Sequence, residues 1–143
     1  MSTTYPLPDL HTLRDTCDGA TLTRAAWTLG LAPTSVEVID LWTIDRREDS
    51  YWDCQQQCWW TPHLTLAQAD AVWRRLRDQG WMLSNSWVPQ RPPGRQGYLE
   101  AIKGGLHIGI HYTPTEEACA LVRCAVLALV TAQEGTNHHA EQS

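Results

Sequence analysis

Histidine stands two residues before threonine at two places in the chain, and these pairs are the residues best suited to acid–base chemistry. They are His63 with Thr65 and His111 with Thr113. An imidazole titrates near neutral pH, so one histidine can accept a proton while another donates one. Both threonines also precede an expected helix, where a hydroxyl commonly caps the first turn. The pattern therefore fits either a catalytic pair or a structural use of the threonines.

The two triplets, His63-Leu64-Thr65 and His111-Tyr112-Thr113, resemble the paired His-x-Thr triplets of the two-histidine phosphoesterases. Those enzymes act on a cyclic phosphate or an RNA end. The resemblance implies that His63 and His111 are the general acid and base. It also implies that Thr65 and Thr113 hold phosphate oxygens. A hydrolase of this kind is one alternative function for the chain.

A second set of polar residues depends on a hairpin that the sequence predicts around Gly104-Gly105. This double glycine stands between two runs rich in β-branched, aromatic and aliphatic residues, Tyr98–Lys103 and Leu106–Tyr112. Glycine accepts the positive φ that both positions of a two-residue hairpin turn need. The predicted cross-strand pairs are Lys103–Leu106, Ile102–His107, Ala101–Ile108, Glu100–Gly109, Leu99–Ile110 and Tyr98–His111.

Because side chains alternate between the two faces of a strand, this register gives the hairpin an apolar and a polar face. On the polar face, Gly109 is expected to leave a gap opposite Glu100. We expect helices to cover the apolar residues, which are Leu99, Ala101, Leu106, Ile108 and Ile110. The polar face is either a ligand or partner patch or a plain solvent-exposed surface. The candidate patch consists of Tyr98, Glu100, His107 and His111.

A metal site is not expected. His107 and His111 are four positions apart on one strand, which places their Cα atoms roughly 13 Å apart at ~3.3 Å per residue. Cys54 and Cys58 would be neighbours if Tyr51–Trp60 were a helix, and could then bind zinc with His63. On a strand they are too far apart to share a metal or a disulfide. A fourth ligand is not evident, so we interpret these cysteines as structural and expect neither metal nor cofactor.

The segment Leu22–Leu41 has two interpretations. Its sequence, LTRAAWTLGLAPTSVEVIDL, resembles the helix-turn-helix of bacterial DNA-binding proteins, with a small residue at Ala26, a turn at Gly30 and proline opening a second helix. This resemblance implies that DNA is contacted by Thr34, Ser35, Glu37, Val38 and Asp40. In the other interpretation, the β-branched and aromatic content of Val36–Ile44 makes it a strand.

Two helices are predicted in the first thirty residues. A short one begins at Asp9, and a second, Leu22–Leu29, is capped by Thr21 and stopped by Gly30. Further along the chain, Trp81–Val88 is predicted to be a strand that precedes the hairpin.

Two capping boxes predict the remaining helices. Thr65-Leu-Ala-Gln68 opens Leu66–Gln79, and Thr113-Pro-Thr-Glu116 opens a helix from Thr115 to about Gln133. The last helix is apolar almost all round. We therefore expect it either to lie across the sheet under another element or to meet a second subunit.

Composition limits the functional classes. The chain has 143 residues, a net charge of −5 and a pI of about 5.6, which gives no general attraction to nucleic acid or an anionic membrane. Its longest apolar run, 118–132, is interrupted by Arg123 and is too short to span a bilayer. Five cysteines without a secretion signal indicate a reducing cytoplasm. Basic residues are almost all arginine, which we interpret as GC-rich coding of actinobacterial or phage origin.

These observations predict a single α+β domain over residues 1–133 and a flexible C-terminal tail over 134–143. The fold is a two-layer sandwich, a mostly antiparallel sheet with helices packed on one face. We expect a small cytoplasmic, non-catalytic binding or adaptor domain. Its partner is another protein, or a second copy through the 115–133 helix, and neither nucleic acid nor a membrane. A helix-turn-helix DNA-binding regulator and the phosphoesterase are the alternatives.

Overall fold

The computed structural model describes residues 12–13, 18–42 and 47–142, with side chains except at 40–42, 47–49 and 135–142. Most of the predicted first helix, from Asp9, lies outside these residues, as does the end of the predicted strand at Thr43 and Ile44. The elements are α1 (Gly19–Thr28), β1 (Val36–Trp42), β2 (Arg47–Asp53), β3 (Cys58–Trp59), α2 (Leu66–Asp78), β4 (Met82–Trp87), β5 (Gly97–Lys103), β6 (Leu106–Tyr112), a 3₁₀ turn (Pro114–Glu116) and α3 (Glu117–Gln142).

The strands form two antiparallel three-stranded sheets, which confirms the predicted α+β class. Sheet A has the order β1-β2-β3 and sheet B the order β4-β5-β6. All pairings within them are antiparallel. The predicted single sheet is thus divided at α2, which separates the two hairpin-connected groups of strands along the chain.

The β5–β6 hairpin has the predicted register. Gly104 and Gly105 form the turn with φ of +53° and +86°, a backbone conformation that glycine adopts without steric cost. The six predicted cross-strand pairs are all present, from Lys103 opposite Leu106 to Tyr98 opposite His111. Two glycines therefore determined which residues share a face.

The apolar face of the hairpin is the inner face of sheet B. Leu99 and Ala101 are fully buried and Ile108 is 8% exposed. Leu106 and Ile110 are half-buried and pack against the same core. The element in contact with this face is α3, which packs on β5 and β6. The prediction that helices cover this face is confirmed.

Helix α3 contributes more buried residues to the core than any other described element. It contacts α1 and α2 as well as sheet B. Its buried residues within one chain are Ala120, Leu121, Val122, Cys124, Ala125, Val126, Leu127, Ala128, Leu129 and Val130. The first of the two expected arrangements, in which this helix lies under other elements of the same chain, therefore holds for these residues, and self-association through the 115–133 helix stays a prediction. The helix continues to Gln142, past the predicted end near Gln133, and the flexibility of 134–143 stays a prediction.

The two predicted capping boxes do not form their side-chain hydrogen bonds. The Thr65 hydroxyl makes no cap hydrogen bond at the start of α2. Gln68 instead reaches back to the preceding loop, where its Oε1 accepts from the Thr61 N–H at 2.7 Å and its Nε2 donates to the Trp59 carbonyl at 3.0 Å. Thr113 likewise makes no side-chain cap bond. The predicted capping hydrogen bonds are therefore wrong, because Gln68 bonds to the loop backbone and the two threonine hydroxyls face other threonines. Helix α2 nevertheless begins at Leu66, as predicted.

Helix α1 begins two residues before the predicted Thr21 cap. Asp18 is its N-cap, accepting from the Ala20 N–H at 3.2 Å and from the Thr21 hydroxyl at 2.6 Å. These hydrogen bonds lower the Asp18 pKa, the Thr21 hydroxyl most, because they favour the carboxylate. Gly30 ends the helix with φ of +79°, as predicted.

The segment after α1 is a strand. Val36–Trp42 pairs along its whole length with Arg47–Asp53. The helix-turn-helix interpretation requires a second helix here and is therefore wrong. The strand interpretation is confirmed for the residues described.

Residues 51–60 are neither one strand nor a helix. Cys54–Gln57 form a tight turn between β2 and β3, in which Asp53 accepts from the Ser35 hydroxyl at 2.8 Å and from the Gln55 and Gln56 N–H groups. Cys54, Cys58 and Cys124 are free thiols.

Among the residues described, none of the helices combines the length and the hydropathy of a bilayer-spanning segment.

Candidate functional site

The candidate patch lies on the outer face of sheet B, which is the face opposite α3. Three rows of residues, one from each strand, run across it. We call this surface the Tyr98 face; it consists of Met82, Ser84, Ser86, Tyr98, Glu100, Ile102, His107, Gly109 and His111. Its side chains are exposed or half-buried, in contrast to the inner face.

Glu100 is the shared acceptor of the Tyr98 face. Nε2 of His107 donates to Oε2 of Glu100 at 2.8 Å, and the Tyr98 hydroxyl lies 3.4 Å from the same oxygen. The His107–Glu100 contact is half solvent-exposed, so as an ion pair it contributes little to stability. Its effect is to fix the two side chains relative to each other.

The gap predicted at Gly109 is filled. A β-carbon built at Gly109 would collide with the hydroxyl group of Tyr98. The hydroxyl end of the tyrosine ring therefore lies over Gly109, the one position of β6 that has no side chain. The prediction of a hole between the two histidines is wrong, because the neighbouring Tyr98 is long enough to occupy it.

Two side chains, those of His111 and Arg91, lie against the Tyr98 ring. The His111 ring centroid is 4.8 Å from the tyrosine ring centroid, and the guanidinium carbon of Arg91 is 5.8 Å from it. Burial raises the pKa of Tyr98, and the negative charge and hydrogen bond of Glu100 raise it further. Tyr98 is therefore a neutral phenol at physiological pH, able to donate a hydrogen bond and to accept a cation over its ring.

Arg91 also belongs to the site, although no pattern in the sequence predicts it there. It lies in the loop between β4 and β5, and the fold of that loop brings it over Tyr98. Its Nη1 is buried without a hydrogen-bond acceptor, and Arg91 makes no ion pair with any described residue. Buried polar atoms normally have partners, so this guanidinium has unused capacity for an acceptor.

The two His-x-Thr triplets lie in different surroundings. His63 lies between β3 and α2, where its Nδ1 shares a hydrogen bond of 3.0 Å with the buried Thr23 hydroxyl. Its ring packs so closely on Gly19 that a β-carbon there would collide with it. His111 lies on the Tyr98 face. No hydrogen bond among the described residues joins the two triplets.

Burial lowers the His63 pKa, because the charged imidazolium loses hydration against α1. The Asp18 carboxylate opposes this shift but does not reverse it. The Thr65 hydroxyl faces Thr61 at 3.4 Å, and the Thr113 hydroxyl faces Thr115 at 3.3 Å. These contacts give His63 a structural role as a neutral side chain, and the catalytic role of the triplets stays a prediction.

A polar network that sequence reasoning missed closes one end of sheet B. The Tyr112 hydroxyl donates to Oδ1 of Asn85 at 2.5 Å and lies 3.4 Å from Oε1 of Glu117. Burial raises the Tyr112 pKa, and the charge of Glu117 adds to this. Beside the network is a cavity of about 190 Å³ lined by Trp87, Tyr112, Pro114 and Glu117.

Sheet A carries an aromatic pair on its outer face. The rings of Trp52 and Trp59 meet edge to face with their centroids 5.0 Å apart, and Trp59 is 45% exposed. Glu37 lies opposite Trp52 in the same row. This surface resembles the Tyr98 face in being uncovered, but its two rings mainly contact each other.

Within the described residues, no group of three or more histidine, cysteine, aspartate or glutamate side chains is arranged to hold a metal ion.

Comparison of the chain with known proteins matched no family model, no curated protein and no solved structure. Its function is therefore argued from the geometry of the described residues.

Proposed function

We propose that the chain is a non-catalytic binding domain that recognises another protein through the Tyr98 face. The observation that carries this proposal is an aromatic side chain in contact with both Arg91 and His111 on a sheet face that is not packed against α3. Aromatic residues and arginine are the side chains most enriched where protein interfaces derive their binding energy.

The arrangement of Tyr98 supports binding because the side chain is already fixed. Its ring lies against the bare backbone of Gly109, and its hydroxyl faces Glu100. A side chain that is ordered before binding loses less conformational entropy when a partner arrives. Ordered aromatic residues are accordingly effective anchors.

The charges of the face indicate the chemistry of the partner. Glu100 is already paired with His107, whereas Arg91 has no ion pair among the described residues. A partner segment with a carboxylate next to an apolar or aromatic side chain would satisfy Arg91 and cover Tyr98 and Met82, which is 72% exposed.

The same geometry supports a non-catalytic role. Glu100 already has two partners, and the raised pKa of Tyr98 makes this phenol a poor base near neutral pH. The cavities of about 190 and 410 Å³ are lined by residues from other surfaces. The Tyr98 face is open, as protein-binding surfaces usually are.

The compartment that we propose is the cytoplasm. Cys54, Cys58, Cys119 and Cys124 are thiols, and Cys54 is exposed. Exposed thiols persist where glutathione and thioredoxin keep them reduced.

The test is affinity capture from an extract of the native organism, with bound proteins identified by mass spectrometry. We compare the wild-type chain with a variant carrying both Arg91→Ala and His111→Ala. Trp59→Ala is the matched control, because it removes an exposed aromatic ring from the outer face of sheet A. We expect a protein that binds the wild type and the control at least tenfold more than the double variant.

The proposal is overturned if the double variant, shown to be folded by circular dichroism, retains every protein that the wild type captures. It is also overturned if hydrolysis of a 2′,3′-cyclic nucleotide is found and disappears in His63→Ala and in His111→Ala. That second result would establish the phosphoesterase instead.

A further inference from the structure

Strand β4 is an edge of sheet B with an open side. It pairs with β5 along Met82–Trp87, and none of the strands that the structure describes pairs with its other side. Among the described residues, no backbone hydrogen bond outside the sheet involves this strand. Half of its backbone groups are therefore directed outward without a backbone partner.

The sequence of β4 lacks the features that protect edge strands. Monomeric proteins usually guard such edges with charges, proline or bulges, because an open edge can pair with another chain. Strand β4 reads MLSNSW and contains no charge, proline or glycine. By contrast, the edge strand β1 contains Glu37 and Asp40, and the edge strand β6 contains Gly109 and two histidines.

We propose that a second copy of this chain pairs with β4, antiparallel and about a two-fold axis, to join two copies of sheet B into one six-stranded sheet. The lack of charged residues in β4 favours this edge for self-association of a negatively charged chain. At a net charge of −5, two copies repel each other over most of their surface. Pairing of β4 with itself places no charged strand residue opposite another.

The register of the dimer is limited by the alternation of side chains between the two faces of the sheet. Directly opposite residues in a sheet share a face, so a two-fold axis must pass through a residue of β4 rather than between two residues. With the axis at Asn85, Leu83 lies opposite Trp87 of the second copy on the inner face. On the outer face, Ser84 lies opposite Ser86 of the second copy.

This register explains the exposed apolar residues at both ends of the strand. Trp87 is 48% exposed and Met82 72% exposed in one chain. In the dimer Trp87 is covered by Leu83 of the second copy, and Met82 is opposite Val88 of the second copy. Asn85 meets Asn85 of the second copy, where each amide also hydrogen-bonds to its own Glu117 carboxylate. Each cross-strand pair is thus apolar with apolar or polar with polar.

The dimer stands independently of the proposed partner protein. If both hold, the two Tyr98 faces lie on one continuous surface and are related by the two-fold axis. A bivalent partner would then bind with an affinity above that of either site alone.

The test is the mass of the full chain by analytical ultracentrifugation. We expect the wild type to sediment at twice 16.2 kDa. A variant with Ser84→Lys and Ser86→Lys places lysine opposite lysine twice and should sediment as a monomer. The matched control, Gln55→Lys with Gln56→Lys, adds the same charge at exposed positions of the turn between β2 and β3 and should remain dimeric.

A third variant tests the register. Ser84→Lys with Ser86→Glu places opposite charges across the axis at Asn85 and should remain dimeric. An axis at Ser84 would instead bring the two introduced lysines together and break the dimer.

A monomeric wild type overturns the proposal, and so does a dimer that survives the double lysine substitution. A monomeric Ser84→Lys, Ser86→Glu variant overturns the register. If the double lysine variant does not fold, amide hydrogen exchange of Met82–Trp87 in the wild type tests whether the dimer forms. Protection that increases with protein concentration supports the dimer, and concentration-independent exchange contradicts it.

Discussion

Sheets A and B are both antiparallel and three-stranded, but they are attached to the core in different ways. Sheet B rests on α3 through small and aliphatic side chains such as Leu99, Ala101 and Ile108. Among the described elements, none packs on sheet A as extensively as α3 packs on sheet B, and sheet A contacts the core through aromatic rings. The Tyr51 ring centroid lies 5.8 Å from that of Trp27 and 6.1 Å from that of Trp60.

The difference shows how each outer face can be used. Because α3 supports the inner face of sheet B, the outer face is not needed for stability and can hold polar residues. The outer face of sheet A instead carries the Trp52–Trp59 pair, which covers part of its own apolar surface. This contrast is the structural reason for assigning binding to sheet B.

The largest effect is expected from a charge on the inner face of sheet B. Ile108→Asp would bury an unpaired carboxylate against α3, which this fold cannot tolerate, and the domain should unfold. His111→Asp is the control, because it introduces the same charge on the outer face of the same strand. Thermal melts followed by circular dichroism measure both. A folded Ile108→Asp protein with an unchanged melting temperature would remove the face assignment.

Sheet A should depend on a single buried ring. Trp60 is 2% exposed and packs against Tyr51, so Trp60→Ala should lower the free energy of unfolding by ~3–5 kcal/mol. The adjacent Trp59 is 45% exposed and contacts Trp52, and Trp59→Ala should cost about 1 kcal/mol. Urea denaturation measures the two values. Equal losses would mean that aromatic packing does not anchor sheet A as described.

The smallest effect is a pH dependence from His63. Burial holds its folded-state pKa below the ordinary value of 6.5, so the folded state binds fewer protons than the unfolded state once the pH falls below 6.5. The stabilisation is complete above that pH and is progressively lost as the pH falls toward the folded-state pKa. His63→Gln removes the titrating group.

Melting temperatures between about pH 7.5 and about pH 5.5 test this, because that interval spans the unfolded-state titration of histidine. We expect the wild type to lose more stability than His63→Gln over this interval. Identical profiles would show that His63 titrates alike in both states.

Local patterns predicted the parts of the fold that are set by neighbours in sequence. The double glycine at 104–105 determined the hairpin register, and the predicted helix Leu66–Gln79 agrees with α2 almost to the residue. The β-branched content of Val36–Ile44 identified β1.

The features that the sequence did not predict depend on residues distant along the chain. Division of the strands between two sheets is decided by tertiary pairing, which strand propensity does not encode. Gln68 matched a capping box, but its side-chain amide hydrogen-bonds instead to the backbone of Trp59 and Thr61. Arg91 reached Tyr98 through the path of an irregular loop, and Tyr98 covered Gly109 because of its own length.

The measurement that tests the central claim most directly is NMR chemical-shift mapping of the ¹⁵N-labelled chain with the protein identified by capture. We predict that the largest shifts fall on Tyr98, His107 and His111, while the Trp59 indole signal is unchanged. Shifts concentrated on Trp52 and Trp59, with the Tyr98 face unaffected, would contradict the account and move the binding surface to sheet A.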